Sequence, residues 1–312
     1  MPTYLRDPLV DDIFAHYKKK GQAEPQRPHL GASLLGEACE RKIHMSWKWA
    51  DIPNFEGRLF RLFDRGHREE PWLIEDLQNT GIEIVGTQIP IPPFEGHGGG
   101  TCDILAKGFK QSPAKVHVVD GKTASDWSFK KIVKEGVLKS KPVYYAQLQI
   151  YMFQLFPIYG CDRAMLIVVN KNNDDIHTER LKLDVDYVEA LKEKLRRIRD
   201  TNRIPGRLSP SNSECKFCHF SEACYNDNFT PQVNCRTCIH STARPDGTWH
   251  CLKLNASIDE AVQRVGCPLH LFHPDLMNYG DPIQASEEEV HYRDNGGVLV
   301  INEKGGKIRR RK

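Results

Sequence analysis

Two aspartates and a lysine carry the chemistry of this chain. From His97 the sequence reads His-Gly-Gly-Gly-Thr-Cys-Asp103-Ile-Leu, then a spacer, then Val-His-Val-Val-Asp120-Gly-Lys122-Thr, ending at Ser125. Two carboxylates held together repel each other, and a bound cation normally offsets that cost. All-oxygen ligation suits Mg²⁺ or Mn²⁺. A lysine beside such a pair orients or deprotonates a water, or balances the charge that builds on a phosphate. Asp-x-Lys alone is common, and a surface ion pair on a half-exposed strand is the competing account.

The elements around these residues must bring them together. Val116, Val118 and Asp120 alternate with His117, Val119 and Gly121, and the β-branched content favours a strand. Strand side chains repeat every two residues, so Asp120 and Lys122 share a face. Thr101, Asp103 and Leu105 read as a preceding strand, and the turn residues of Gly108 to Pro113 predict a hairpin with Asp103 beside Asp120. Upstream, residues 56–79 carry the strongest helical pattern, with Leu59, Phe60, Leu62, Phe63, Trp72, Leu73 and Leu77. On this helix His67 and Glu70 stand one turn apart on one face. Residues 82–91 read as a strand and 126–136 as a short helix. Residues 143–156 form an apolar helix on which Gln147 and Tyr151 share a face and need polar partners. Two strands, 164–170 and 176–183, and a basic-ended helix, 187–199, complete a mixed α/β order. A short amphipathic helix is expected around Leu9 to Tyr17, and Ser33 as the N-cap of a helix carrying Cys39.

The 312 residues suffice for one large domain with appendages or for two domains, and 39% of them are hydrophobic. A net charge of +3 excludes a polycationic nucleic-acid binder, so any DNA contact must come from local basic patches. The sequence shows no signal peptide and no apolar run of roughly 18 residues, which predicts a soluble, cytoplasmic protein with no membrane partner. Ten cysteines, some in CxxC pairs, then argue for metal ligation rather than disulfides.

In order along the chain come Gly66-His67, Asp103, Asp120-Gly-Lys122 and Gln147-x-x-x-Tyr151. This series resembles the PD-(D/E)XK nuclease superfamily, and within it the RecB-like branch, over about residues 30–225. The resemblance implies a restriction-endonuclease-like α/β core, a mixed central sheet flanked by helices. It implies His67, Asp103 and Asp120 as ligands of Mg²⁺ or Mn²⁺. Lys122 would be the water-orienting base or electrostatic partner, and Gln147 and Tyr151 active-site or DNA-backbone contacts. Asp120 stands where many members have Glu, which the pattern allows, and Glu70 is a candidate for the extra helical acid.

Cys215, Cys218 and Cys224 form a C-x2-C-x5-C run after a Pro- and Ser-containing connector, and three thiolates lack a fourth ligand. Cys39, isolated upstream, is the natural one. This layout looks like the iron–sulfur subclass of RecB-like nucleases, which includes AddB and the CRISPR-adaptation exonucleases, and implies a [4Fe-4S] cluster on Cys39, Cys215, Cys218 and Cys224. A zinc ion on the same four thiolates is the alternative. Closing so long a loop costs several kcal/mol of chain entropy, by the roughly logarithmic law, so a strong ligand set is needed.

A second set, Cys235, Cys238, Cys251 and Cys267, has a turn at Pro245-Asp-Gly247 and reads as a zinc-knuckle-like module, with His250 or His270 able to replace a thiol. So small a module needs a metal for stability. Cys102 and Cys161 are left over, Cys102 as a core residue. From Asp275 on, the chain is polar, with a hairpin expected about Asp294-Asn-Gly-Gly297 and a mobile basic end from Lys307 to Lys312. The expected units are an arm (1–28), the nuclease domain (29–228), the knuckle (229–274) and a polar tail (275–312).

The expected function is a metal-dependent deoxyribonuclease, an exonuclease acting at DNA ends in recombination, repair or phage DNA processing. DNA is the partner, with a helicase, recombinase or single-strand-binding protein as further possible partners. The rival reading is a catalytically silent nuclease-fold protein that binds DNA or serves assembly, and the intact Asp103, Asp120 and Lys122 argue against it.

Overall fold

The computed structural model describes residues 7–201, 203–226 and 229–311. A five-stranded mixed sheet lies at its centre: β1 (Glu83–Pro90), β2 (Thr101–Lys107), β3 (His117–Ala124), β4 (Arg163–Asn170) and β5 (Ile176–Lys182), hydrogen-bonded in that order. Only β3 and β4 run parallel; the other neighbours are antiparallel. A parallel pair needs a long crossover. Here it runs through a helix at Asp126–Glu135, a single turn at Val137–Ser140 and a helix at Pro142–Tyr159.

The helices are α1 (Pro8–Ala23), α2 (Glu40–Trp47), α3 (Gly57–Asn79), α4 (Asp126–Glu135), α5 (Pro142–Tyr159), α6 (Val185–Asp200) and a short α7 (Glu260–Val265), with minor single turns between them. They cover both faces of the sheet. On one, Val118, Ala164, Leu166 and Val168 pack with Leu148, Ile150, Leu155, Leu191 and Leu195 of α5 and α6. On the other, Ile104, Val119, Met165 and Ile167 pack with Leu73, Ile74 and Leu77 of α3. The expected mixed central sheet flanked by helices is therefore what the chain forms.

Three local expectations differ from the structure. Ser33 caps no α-helix; it lies in a 3₁₀ turn, Ala32–Gly36, and Cys39 is itself the N-cap of α2. Extended backbone at Glu37 and Cys39, on either side of Ala38, breaks the helical run that residues 33–47 suggested. The N-terminal segment is a longer helix than expected, capped by the Asp7 side chain accepting from Leu9 N–H at 2.8 Å. It packs along α3 through Lys20–Asp64 (2.6 Å) and Arg68–Tyr17 (2.7 Å).

The third difference is at the C-terminus. The hairpin about Asp294 forms, but within a four-stranded antiparallel sheet of β9 (Pro282–Ala285), β10 (Glu289–Arg293), β11 (Leu299–Glu303) and β12 (Lys307–Arg311). Expected as a mobile tail, residues 307–311 are instead a strand, held by Arg309–Glu303 and Arg310–Asp294 ion pairs; Lys312 lies outside the described residues. Val290, Tyr292 and Val300 close a small core with Leu271, Phe272 and Tyr279. Strand alternation puts Val290, Tyr292 and the paired Val300 on one face of this sheet.

The cysteine-rich segment carries a three-stranded sheet, β6 (Ser241–Ala243), β7 (Trp249–Cys251) and β8 (Ala256–Ile258), ordered β6-β7-β8. Trp249, Ile258 and Cys235 belong to the same core cluster as Leu35, Ile43 and Trp47. The segment expected as a separate knuckle thus shares its core with the N-terminal part.

Candidate active site

Asp103 leaves β2 and Asp120 leaves β3 one position beyond the paired register Ile104↔Val119, which sets the two carboxylates opposite each other. Asp120 is 1% exposed. Lys122 stands two residues along the same strand face, and its Nζ donates to Asp120 Oδ1 at 2.8 Å. Nζ lies equally close to Oδ2, but that buried oxygen accepts no hydrogen bond. The Lys122 ammonium is thus the cation against Asp120, and with Asp103 opposite, two carboxylates share it.

Burial and the neighbouring Asp120 push the Asp103 carboxyl up to about 6, with Glu70 adding to the effect and Lys122 opposing it. Lys122 is buried too, which works against its charge, but attraction and hydrogen bonding to Asp120 win and raise its pKa above that of an ordinary lysine. It is an ammonium at neutral pH. In this arrangement it orients Asp120 and supplies positive charge rather than accepting a proton.

Helix α5 closes one side. Gln147 Nε2 donates to the Tyr151 hydroxyl at 3.2 Å, which leaves the tyrosine proton available to another acceptor. Burial raises the Tyr151 pKa, with the Asp120 and Asp103 charges contributing. A Cβ at Gly100 would stand 2.5 Å from that hydroxyl, so the glycine run before Asp103 makes room for the ring. Tyr144 was not singled out from the sequence, yet its ring lies 5.3 Å from Lys122 Nζ. The signal was its spacing: Tyr144, Gln147 and Tyr151 are three and four residues apart, one face of a helix.

Helix α3 approaches from the other side, with Leu73 so near Gly121 that a Cβ there would meet it at 2.6 Å. Of the two candidates on α3, Glu70 is the one whose charge acts on Asp103; it also accepts from Gln88 Nε2 at 2.6 Å. His67 lies exposed one turn earlier. His97 plays a packing role: its Nε2 is 2.7 Å from Arg244 O and its ring stacks edge-on to Trp47.

Cys39 caps α2, and Cys224 reaches the same helix, its Sγ 4.0 Å from Met45 Sδ. Burial raises the Cys218 thiol, with Cys39 and Cys215 adding to the shift. It raises Cys224 likewise, with Cys218 and Cys39 contributing. Helix α2 and the turn at Ser221–Tyr225 pack through Met45, Phe220 and Ala223. Cys235, Cys238, Cys251 and Cys267 line one small cavity. Among the described residues, no three His, Cys, Asp or Glu side chains are drawn close enough to hold a metal ion. Cys102 and Cys161 are fully buried. None of the helices is long and apolar enough to cross a membrane, among the described residues.

No protein-family model matches the chain, and no curated protein matches it in sequence. Among solved structures, it is similar to the crystal structure of SSO0001, at 15% identity and a TM-score of 0.46, covering 71% of this chain and 98% of that one. It is also similar to an alkaline exonuclease (LHK-Exo) from Laribacter hongkongensis, at 15% identity and a TM-score of 0.40, covering 60% of this chain and 90% of that one. The same exonuclease in complex with dAMP gives 17% identity and a TM-score of 0.39, covering 60% and 92%.

Proposed function

We propose that the chain is a divalent-metal-dependent deoxyribonuclease of the PD-(D/E)XK type, acting at DNA ends. The observation that carries this reading is the buried Asp120 carboxylate, opposed by Asp103 and held by Lys122 at 2.8 Å, with Oδ2 lacking a donor. Paired acids with an unsatisfied oxygen fit Mg²⁺ or Mn²⁺, with Asp103 and Asp120 as the holding residues and Glu70 or His67 as further candidates from α3. When bound, such an ion supplies Lewis-acid polarisation of a phosphate and a more acidic water.

The chain's own groups do the rest. Lys122 holds Asp120 through its 2.8 Å hydrogen bond and offsets charge on a phosphate oxygen. Tyr151, fixed by Gln147, offers its hydroxyl proton to a second phosphate oxygen and so orients the backbone. Gly100 and Gly121 let α5 and α3 close on the strand ends without side chains intervening.

The first cysteine set fits an iron–sulfur staple in one respect: Cys39 acts on both Cys218 and Cys224 from the far side of the sequence. A [4Fe-4S] cluster on Cys39, Cys215, Cys218 and Cys224 would tie α2 to the segment after α6. The second set we assign to zinc.

End-labelled linear single- and double-stranded DNA incubated with Mn²⁺ tests the reading. Wild-type protein should release labelled mononucleotides or short products, and Asp120→Asn should release none. Full activity in Asp120→Asn would overturn the assignment.

A further inference from the structure

Helix α4 follows directly from the strand that carries Asp120 and Lys122. Ser125, three residues past Lys122, is its N-cap and accepts from Ser128 N–H at 3.4 Å. Phe129 and Ile132 form its buried side. Trp127, Lys130, Lys131 and Lys134 recur at three- and four-residue spacing and share the opposite side. Trp127 is 73% exposed, and the Lys131 ammonium lies 5.6 Å from the centre of its ring. Lys130 pairs with Asp126 at 2.8 Å, which leaves Lys131 and Lys134 to face a ligand.

Charge says what kind of ligand fits. Residues 126–141 hold five lysines against Asp126 and Glu135, a net +3 that equals the charge of the whole chain. Such a local patch attracts a polyanion. Of the five tryptophans, Trp47, Trp49 and Trp249 are buried, and Trp72 on α3 is the other exposed one, at 67%. Residues 69–76 around Trp72 hold four acids and no lysine or arginine, so that face repels phosphates. The α4 face attracts them.

Tyr144, in the first turn of α5, links this face to the acids. Its ring centre is 5.3 Å from Lys122 Nζ and 6.0 Å from Lys141 Nζ. Trp127 is five residues beyond Lys122, so chain length keeps their Cα atoms within about 18 Å of each other. A base inside a duplex is stacked on its neighbours and offers no free face. A single strand can lay its bases on aromatic rings and its phosphates on lysines. An exposed tryptophan among lysines therefore suits a single strand.

We propose that the outward side of α4 binds single-stranded DNA, with a base stacked on Trp127 and phosphates on Lys131 and Lys134. The strand then runs past Lys141 and Tyr144 to Asp103, Asp120 and Lys122. As a substrate path this rests on the nuclease reading; as a binding surface it is measured without cleavage.

Fluorescence anisotropy of a labelled oligo-dT with the full-length protein, without added divalent metal, reads binding alone. Trp127→Ala should weaken it roughly tenfold, which is about 1.4 kcal/mol, and Trp127→Phe should keep most of the affinity. Lys131→Gln and Lys134→Gln should each reduce the slope of log affinity against log salt by about 0.7. Trp72→Ala should bind as wild type does, and Trp127→Ala should leave blunt-duplex binding unchanged. With Mn²⁺, Trp127→Ala should raise KM for single-stranded DNA and leave kcat nearly unchanged. Unchanged oligo-dT binding by Trp127→Ala would overturn the surface, whatever Asp120→Asn does to cleavage. An equal loss on blunt duplex would overturn the single-strand preference. Wild-type protein that binds through Trp127 but cleaves nothing would overturn the path and the nuclease reading, and keep the surface.

Discussion

The guanidinium of Arg236 stacks 3.6 Å from the ring of Trp49, with 186 residues of chain between them closed by that contact. Its Nη1 donates to Trp47 O at 3.1 Å, Nη2 to Pro28 O at 2.7 Å and Nε to Gln263 Oε1 at 2.9 Å. Asn234, two residues earlier, donates to Trp49 O at 3.0 Å. These bonds make the C-terminal third part of the main body, and they change what truncation should do.

Arg236→Ala should destabilise the protein by about 3 kcal/mol or more, because three acceptors lose their donor and the ring loses its cation. Arg236→Lys should recover less than half of this, since an ammonium cannot reach three divergent acceptors. Urea denaturation followed by tryptophan fluorescence measures both. Removing residues 230–312 should be worse still: Trp47, Trp49 and the apolar neighbours of Trp249 would face water. A truncated chain that melts as cooperatively as the whole would contradict the shared core.

At the acidic pair, Asp103→Asn, Asp120→Asn and Lys122→Ala should each lower nuclease activity by at least about 10³-fold, as expected for groups acting on the reacting phosphate. Folding should be retained, as judged by circular dichroism. Loss of activity with loss of fold would leave the site assignment unsupported, so both readouts are needed on the same preparations.

The pH dependence of the pair follows from the Asp103 carboxyl, raised by burial and by Asp120 to about 6. A raised carboxyl means that the folded chain holds a proton more tightly than the unfolded one. Metal-free protein should therefore lose stability as the pH rises from about 4 through 6. After allowance for solvent screening, the cost at neutral pH is about 1–2 kcal/mol, which Asp103→Asn should recover. Mn²⁺ affinity should move the other way, falling as the pH drops through 6. Thermal melts with and without Mn²⁺ at pH 5 and 7.5 read both slopes.

His44 sets an acid limit. Burial, with Lys48 next to it, lowers its pKa to about 3, and its Nδ1 has no hydrogen-bond partner. The unfolded chain takes up this proton first. Stability from His44 is thus complete above about pH 6.5 and is lost as the pH falls toward 3. By pH 4.5 the loss should reach about 2–3 kcal/mol, and His44→Leu should flatten the curve over that window.

Gly100→Ala tests the tyrosine. The added methyl would meet the Tyr151 hydroxyl at 2.5 Å, so the ring must move away from the acids. Activity should fall at least about tenfold with little change in melting temperature, because a misplaced positioning group costs rate more than stability. Wild-type activity in Gly100→Ala would remove Tyr151 from the site.

Much of this was legible in the chain. Alternation placed Asp120 and Lys122 on one face, and the turn residues of the spacer set Asp103 opposite, because strand period and hairpin closure are local properties. Helices α3, α5 and α6 likewise follow from their apolar spacing. The run from Ser33 to Trp47 departs from its local pattern, because Ser33 looks like an N-cap from its neighbours alone while the chain there forms a 3₁₀ turn. Spacing puts Tyr144 on the face of Gln147 and Tyr151, but only the packing of α5 on β3 brings its ring to 5.3 Å from Lys122 Nζ.

By itself, then, the sequence determined which residues could do chemistry and the local elements that carry them. Tertiary structure decided how α3 presents its two candidates: the charge of Glu70 acts on Asp103, while His67 lies exposed one turn earlier. It also packed Trp249 and Ile258 of the cysteine segment into one core with Leu35, Ile43 and Trp47. Arg236, Trp49 and Trp249 carry no periodic signal, and their meeting depends on long-range packing that local propensity does not encode. The basic end became a strand for the same reason: Lys307–Arg311 is polar in sequence, and its order comes from the backbone pairing that β11 offers.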